Sequence, residues 1–298
     1  MGGWDIIGDL HGHFSALEAL LRRMGYRKRS GVWRLPGRRV LFLGDLVNRG
    51  PEIPETVDLV RAMVEAGQAV ALLGNHDFNL VRVVEGNVSG TEGEKARKLV
   101  KQAADSLVAY GGSRRRLRAA VRWLSGLPLV WEDEGFRAVH ACWDEGAVGR
   151  LLRTGGVVLS REEFLPGAWG PRVRAAEILL NGPELTLPLE VTGERRNRRV
   201  RTKWWLAGAS SWTEAAYPEE PGLPEGPLPA KAGRAFRAYG PDEPPVFFGH
   251  YGFVKEARPV LPNVACLDFA VARDGFLGAY RWDGERVLRR RRFIVASD

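Results

Sequence analysis

Five short segments of the chain carry residue types that can ligate a divalent metal: Gly8-Asp9-Leu10-His11-Gly12-His13, Gly44-Asp45, Gly74-Asn75-His76-Asp77, Val139-His140 and Phe248-Gly249-His250. Carboxylate, imidazole and amide oxygen are the ligands that Mn²⁺, Fe²⁺ or Zn²⁺ accept. The adjacent glycines permit tight turns and close approach of backbone to a bound phosphate. A lone histidine at a strand end is usually a hydrogen-bonded structural residue. Here, however, all five histidines of the 298 residues fall in these segments, and that joint placement points to one site. Cys142 and Cys266 lack the pair spacing of a structural zinc site and are too few for a disulfide framework, so both are expected to be reduced.

The elements that must position these residues are legible from periodicity. Trp4 to Ile7 is a short apolar run ending at Gly8, and Ala16, Leu17, Leu20, Leu21 and Met24 then share a helical face. The unit repeats with a strand over Arg39 to Leu43, loop chemistry from Gly44 to Pro51, and a helix marked by Ile53, Val57, Val60 and Val64. Ala69 to Leu73 forms a third strand running into Gly74. Each polar motif therefore lies at the carboxyl end of a strand, where open α/β sheets place their sites. Thr91 to Leu124 is expected to be a helical cap, with apolar positions Ala96, Leu99, Val100, Ala103, Leu107 and Val108 and a break at Gly111-Gly112. Phe136 to His140 and Val246 to Phe248 resume as strands, and the prolines between Tyr217 and Ala230 favour an extended surface excursion. Val264 to Leu267, Phe276 to Trp282 and Val287 to Ile294 are expected to close the fold as antiparallel strands, with Asp283-Gly284 as a hairpin turn.

Composition narrows the class. With 45% hydrophobic and 27% charged residues, disordered, collagen-like and coiled-coil chains are excluded. The longest apolar runs are strand-sized, so no membrane span is expected, and the first residues lack a basic leader, which points to a cytoplasmic protein. The net charge of +8 favours anionic partners, whether nucleotide, nucleic acid or phosphoprotein. Basic runs at Arg27 to Arg29, Arg114 to Arg118 and Arg289 to Arg292 read as solvated surface, whereas the clustered arginines of Arg195 to Lys203 suit phosphate recognition. Trp204 and Trp205 beside that run either stack a base or pack in the core.

The ordered set GDLHGH, GDLVNRGP, GNHD, VH and FGH resembles the calcineurin-like metallophosphoesterases, in the branch of serine/threonine phosphoprotein phosphatases and symmetrical diadenosine tetraphosphatases. The resemblance covers about residues 4 to 140 and 246 to 282. It implies an α/β fold of four layers (α+β by some schemes), two mixed β-sheets sandwiched between helices. The whole of residues 1–298 would form one domain, with a mainly helical or irregular insertion over about 91–235. It also implies a dinuclear centre of two divalent ions, Mn²⁺ foremost, with Fe, Zn, Co or Ni as alternatives. Asp9 and His11 would bind the first ion, Asp45 would bridge, and Asn75, His140 and His250 would complete the second. A metal-bridging hydroxide would attack phosphorus while Arg49 holds nonbridging oxygens and His76 protonates the leaving group, with Asn48 and Asp77 as further catalytic residues.

Three motifs separate this chain from the phosphoprotein phosphatases. Their Asp-Arg-Gly is Asn48-Arg49-Gly50, their Gly-Asn-His-Glu ends in Asp77, and their His-Gly-Gly is His140-Ala141-Cys142. The tetraphosphatase branch shares the absence of that first aspartate, the Asp ending, and a Phe-Gly-His followed by an aromatic, here Tyr251. A dinucleoside polyphosphate such as diadenosine tetraphosphate is therefore the expected substrate. The alternatives are a phosphoprotein phosphatase, a polynucleotide-end phosphatase and, more remotely, a non-catalytic nucleic-acid-binding module. His13 is expected at a helix start, Asp5 as a strand-start polar group, and Asp268 as a support for His250 or an ordinary strand-end carboxylate.

Overall fold

A computed structural model describes residues 2–88, 93–133, 135–188, 199–218, 222–229, 238–253 and 256–296. The contacts divide the chain into one unit of Met1–Leu180 with Pro244–Asp298 and a second of Asn181–Glu243.

The first unit is built on two sheets. Strand β1 (Gly3–Ile7) leads to helix α1 (Phe14–Arg23), which buries Leu17, Leu20 and Leu21 as its apolar spacing requires. An unforeseen hairpin follows, β2 (Arg27–Arg29) and β3 (Val32–Arg34), so the first basic run is an exposed strand. Strand β4 (Arg38–Phe42), helix α2 (Ile53–Glu65), strand β5 (Ala69–Ala71) and helix α3 (Asn75–Glu85) repeat the expected unit, and helices α4 (Glu94–Ala109) and α5 (Arg114–Leu124) flank the Gly111-Gly112 break. Strands β6 (Val130–Asp133) and β7 (Phe136–Val139), then helices α6 (Glu145–Arg153) and α7 (Pro171–Asn181), complete the amino-terminal part.

Strands β8 (Glu184–Thr186), β9 (Arg199–Thr202) and β10 (Ala216–Tyr217) form a three-stranded sheet in the second unit, over a core that includes Leu185, Val200 and Trp212. Trp204 and Trp205 are both buried there, edge to face at 5.8 Å, and so belong to the core. Residues 189–198, which include Arg195 to Arg198, lie outside the described residues.

Strands β11 (Val246–Phe248), β12 (Val264–Cys266), β13 (Gly278–Trp282) and β14 (Phe293–Val295) return to the first unit. The first sheet runs β14-β13-β1-β4-β5 and the second β12-β11-β7-β6, and each mixes parallel and antiparallel pairs. Trp4, Ile6 and Leu41 of one sheet pack against Phe136, Phe247 and Ala265 of the other, which makes the sandwich the resemblance implies.

Three expectations are corrected. Strand β12 pairs parallel with β11, because its chain returns through a 249–263 connection instead of a tight turn. Asp283-Gly284 is not a two-residue hairpin: β14 pairs with β13 only from Phe293 onward. In α4 the buried residues are Ala96, Ala103 and Ser106, while Val108 is 78% exposed.

Asp5 is wholly buried and accepts hydrogen bonds from Tyr26 Oη (3.0 Å), Arg38 Nε (3.2 Å) and Arg281 Nε (2.9 Å). This expected strand-start group thus ties β1 to its neighbours on both sides, with two guanidiniums offsetting the burial of a charge. Cys142 and Cys266 are free and buried, and among the described residues no helix is long and apolar enough to cross a membrane.

Candidate metal centre

Strands β1, β4, β5, β7 and β11 deliver Asp9, Asp45, Asn75, His140 and His250 to one end of the sandwich, as the strand-end reading requires. The turns are tight. A Cβ on Gly249 would overlap the Asp9 carboxylate, and one on Gly74 would overlap the backbone and carboxylate of Asp45. His11, Asp45, Asn48, Arg49 and His250 all adopt positive φ, the left-handed region that non-glycine residues occupy at a cost of about 1–3 kcal/mol each.

Hydrogen bonds fix which nitrogens are free to bind a cation. His140 Nδ1 lies 2.9 Å from the Leu43 carbonyl and His11 Nδ1 lies 3.1 Å from that of Val47. A carbonyl only accepts, so each Nδ1 carries the proton and each neutral ring presents a bare Nε2 lone pair. Those lone pairs face oxygens. His140 Nε2 is 2.9 Å from Asn75 Oδ1 and 3.5 Å from Asp45 Oδ1, and His11 Nε2 is 3.5 Å from Asp45 Oδ2 and 4.0 Å from Asp9 Oδ2. His250 Nδ1 is also 2.9 Å from Asn75 Oδ1. At His140 a bare nitrogen turned toward two oxygens in a buried site fits a cation between them, whereas His11 Nε2 also has an Arg49 N–H donor at 3.2 Å. Asp45 belongs to two buried clusters that could hold a metal ion, one with His11 and His76 and one with His140 and His250, and it turns Oδ2 toward His11 and Oδ1 toward His140. Electrostatics agree: burial, and then the charges of Asp268 and Asp45, push the Asp9 carboxyl up, while burial, and then His76, push His11 down toward its neutral form.

Beside these clusters stand the residues expected to handle substrate. Asp45 Oδ1 also accepts the His76 backbone N–H at 2.8 Å, holding the start of α3 against the β4 loop. The Arg49 guanidinium bridges His11 Nε2 (3.2 Å) and His76 Nε2 (3.1 Å). The Asn48 amide nitrogen, not its oxygen, stands 3.0 Å from His76 Nδ1, because the oxygen accepts from the Ser106 hydroxyl. Asp77, expected among the catalytic groups, is instead buried with both oxygens on backbone: Oδ2 accepts from Gly74 N–H (2.9 Å) and Oδ1 from Leu46 N–H (3.0 Å). Burial, then the Asp45 charge, raises Asp77 to about 7. Those bonds tie the Gly74 turn to the loop after β4. His13 occupies the N-cap position of α1 without a side-chain cap hydrogen bond, its Nδ1 donating to Leu10 O at 3.1 Å, and Asp268 accepts from Gly252 and Ala270 N–H just past the His250 turn.

Two residues escaped sequence reasoning. Ser106 Oγ accepts the Asn48 backbone N–H at 3.1 Å, and Asp105 Oδ2 accepts that of Arg49 at 3.0 Å. Consecutive residues of α4 thus pin the two consecutive left-handed residues of the site. The one available signal was a serine on the buried side of an otherwise small-apolar helix face.

A family description of the calcineurin-like phosphoesterases matches residues 5–160, and the chain belongs to that family. Among curated relatives, a symmetrical bis(5'-nucleosyl)-tetraphosphatase of Aromatoleum aromaticum is 33% identical over 57% of this chain and 57% of its own length. One from Cronobacter sakazakii is 25% identical over 95% of this chain and 92% of its own. The chain thus spans little more than half the length of the first of these relatives. A solved protein serine/threonine phosphatase from Saccharomyces cerevisiae shares the fold at a TM-score of 0.53 and 14% identity, covering 99% of this chain and 78% of that one.

Proposed function

We propose that the chain is a dinuclear, divalent-metal-dependent hydrolase of phosphoanhydride bonds, acting in the cytoplasm with a dinucleoside polyphosphate as substrate. The observation that carries the reading is the convergence of unprotonated ligand atoms on both oxygens of Asp45. Asp9, His11 and Asp45 would hold one ion, and Asp45, Asn75, His140 and His250 the other, with Mn²⁺ as the favoured metal. When bound, the two ions supply positive charge toward the reacting phosphate and make water nucleophilic near neutral pH.

Arg49 binds nonbridging phosphate oxygens through its planar fork, which draws its guanidinium off the His76 ring. With Arg49 withdrawn and the Asn48 amide donating to Nδ1, neutral His76 carries its proton on Nε2, the atom Arg49 had faced. Imidazolium would need a second proton on Nδ1, opposite the donor amide. His76 therefore stabilises a leaving oxygen by donating a hydrogen bond better than by full proton transfer. That suffices for a phosphate leaving group, a weak base, and serves a serine alkoxide poorly. Such a His76 favours anhydrides over phosphoprotein.

The test is the metal-reconstituted protein assayed side by side on diadenosine tetraphosphate, a phosphoserine peptide and a 3′-phosphorylated oligonucleotide. Highest kcat/KM on the tetraphosphate is expected. Highest turnover on the peptide or the oligonucleotide would replace the anhydride reading with that rival, and no metal-dependent turnover on any would remove the hydrolase reading.

A further inference from the structure

One stretch of the first unit is strongly basic. Between Gly93 and Leu124, nine Lys and Arg stand against only Glu94 and Asp105, a net +7. Helix α5 concentrates it. At 100° per residue, Arg114, Arg115, Arg118 and Arg122 fall within a sector of about 100°, and all four are exposed. None of the four has an ion-pair partner among the described residues, whereas Arg116, on another side of the helix, pairs with Asp58 at 3.2 Å. Local energetics oppose this arrangement, since three arginines occupy the first turn, where the helix dipole is positive and no acidic residue offsets them. Helix stability does not account for four guanidiniums there without ion-pair partners among the described residues.

We propose that this face of α5 is a docking surface for nucleic acid, gripped through the phosphate backbone by Arg114, Arg115, Arg118 and Arg122. Guanidinium forks match phosphate oxygens bidentately, and successive turns present them about 6 Å apart along the helix. A membrane surface fits less well, because the apolar side of α5, Ala120, Val121 and Leu124, is buried in the protein and leaves nothing to insert. The surface acts independently of the reaction at the metal centre.

The experiment is fluorescence anisotropy of the metal-loaded protein with a labelled 20-nucleotide single strand lacking terminal phosphates, between 50 and 200 mM NaCl. Four phosphate contacts predict a log–log salt slope near −2.8 from this surface, a loss of about 50-fold in affinity over that range. Replacing all four arginines with Gln is expected to weaken binding at least 10-fold at 100 mM salt and to remove that slope, while hydrolysis of p-nitrophenyl phosphate stays within about twofold. Each single Arg→Gln should remove about 0.7 of slope, which keeps the test decisive should the quadruple variant fold poorly. Unchanged binding in the variants, salt-independent binding, equal affinity for polyglutamate of the same length, or tighter binding to phosphatidylserine vesicles would each overturn the proposal.

Discussion

Ser106→Ala tests whether the cap helix holds the catalytic turn. Ser106 and Asn48 are both fully buried, and the hydroxyl serves Asn48 twice, accepting its backbone N–H and donating to its amide oxygen. Deleting it leaves two buried polar groups of Asn48 without this partner, at about 1–3 kcal/mol each. The better helix propensity of Ala returns about 0.5 kcal/mol. The net loss is then roughly 2–5 kcal/mol, which for a chain of this size lowers Tm by about 5–15 °C. The effect on turnover has a separate origin. Asn48 and Arg49, at φ 68° and 71°, are held in the left-handed region against a strain of about 1–3 kcal/mol each, and without the clamp the turn relaxes. Arg49 and His76 then lose their shared placement, and kcat is expected to fall on the order of 10- to 100-fold. Thermal melts of the metal-loaded protein and steady-state kinetics on diadenosine tetraphosphate measure the two effects separately. A Tm within 2 °C of wild type together with unchanged kcat would refute the clamp.

Asp45→Asn should bring metal content toward one ion per chain and lower kcat by at least about 10³-fold, since a neutral amide cannot bridge two dications; two bound ions with normal turnover would refute the bridging role. Asn48→Asp puts an acceptor and a charge where a donor amide meets His76 Nδ1, so the turnover ratio of phosphoserine peptide over diadenosine tetraphosphate should rise by about 10-fold, and a flat ratio would sink the leaving-group argument. Metal removal should destabilise the protein more at pH 8 than at pH 5. In the metal-free state burial raises Asp9 and Asp77, the latter to about 7, and lowers His11; the two carboxyls outweigh the one imidazole, so the folded chain binds more protons than the unfolded one between about pH 4 and 7. Stability of the chelated protein therefore falls as pH rises through that window. The gap in Tm between metal-loaded and chelated protein should widen by several degrees from pH 5 to pH 8, and a pH-independent gap would show that the carboxylates are not the cause.

The ligand set was legible in the sequence because each ligand stands beside the local features that place it: an apolar strand before it and a glycine where the turn must be tight, as at Gly74 and Gly249. Strand-end position is a local property, so one-dimensional pattern reaches it. What the ligands do to one another is not local. Asn75 meets His140 across 65 positions and His250 across 175, and only the packing of two sheets brings those separations within 2.9 Å. The direction of β12 was misread for a related reason, since buried strands show the same apolar run whether parallel or antiparallel and the long connection decides. The Asn48 amide is the sharpest case. Composition says that an asparagine replaces an acid, but which end of it faces His76 depends on a serine 58 positions away in the cap helix. An amide carries a donor and an acceptor on one planar group, and only a three-dimensional neighbour can choose between them.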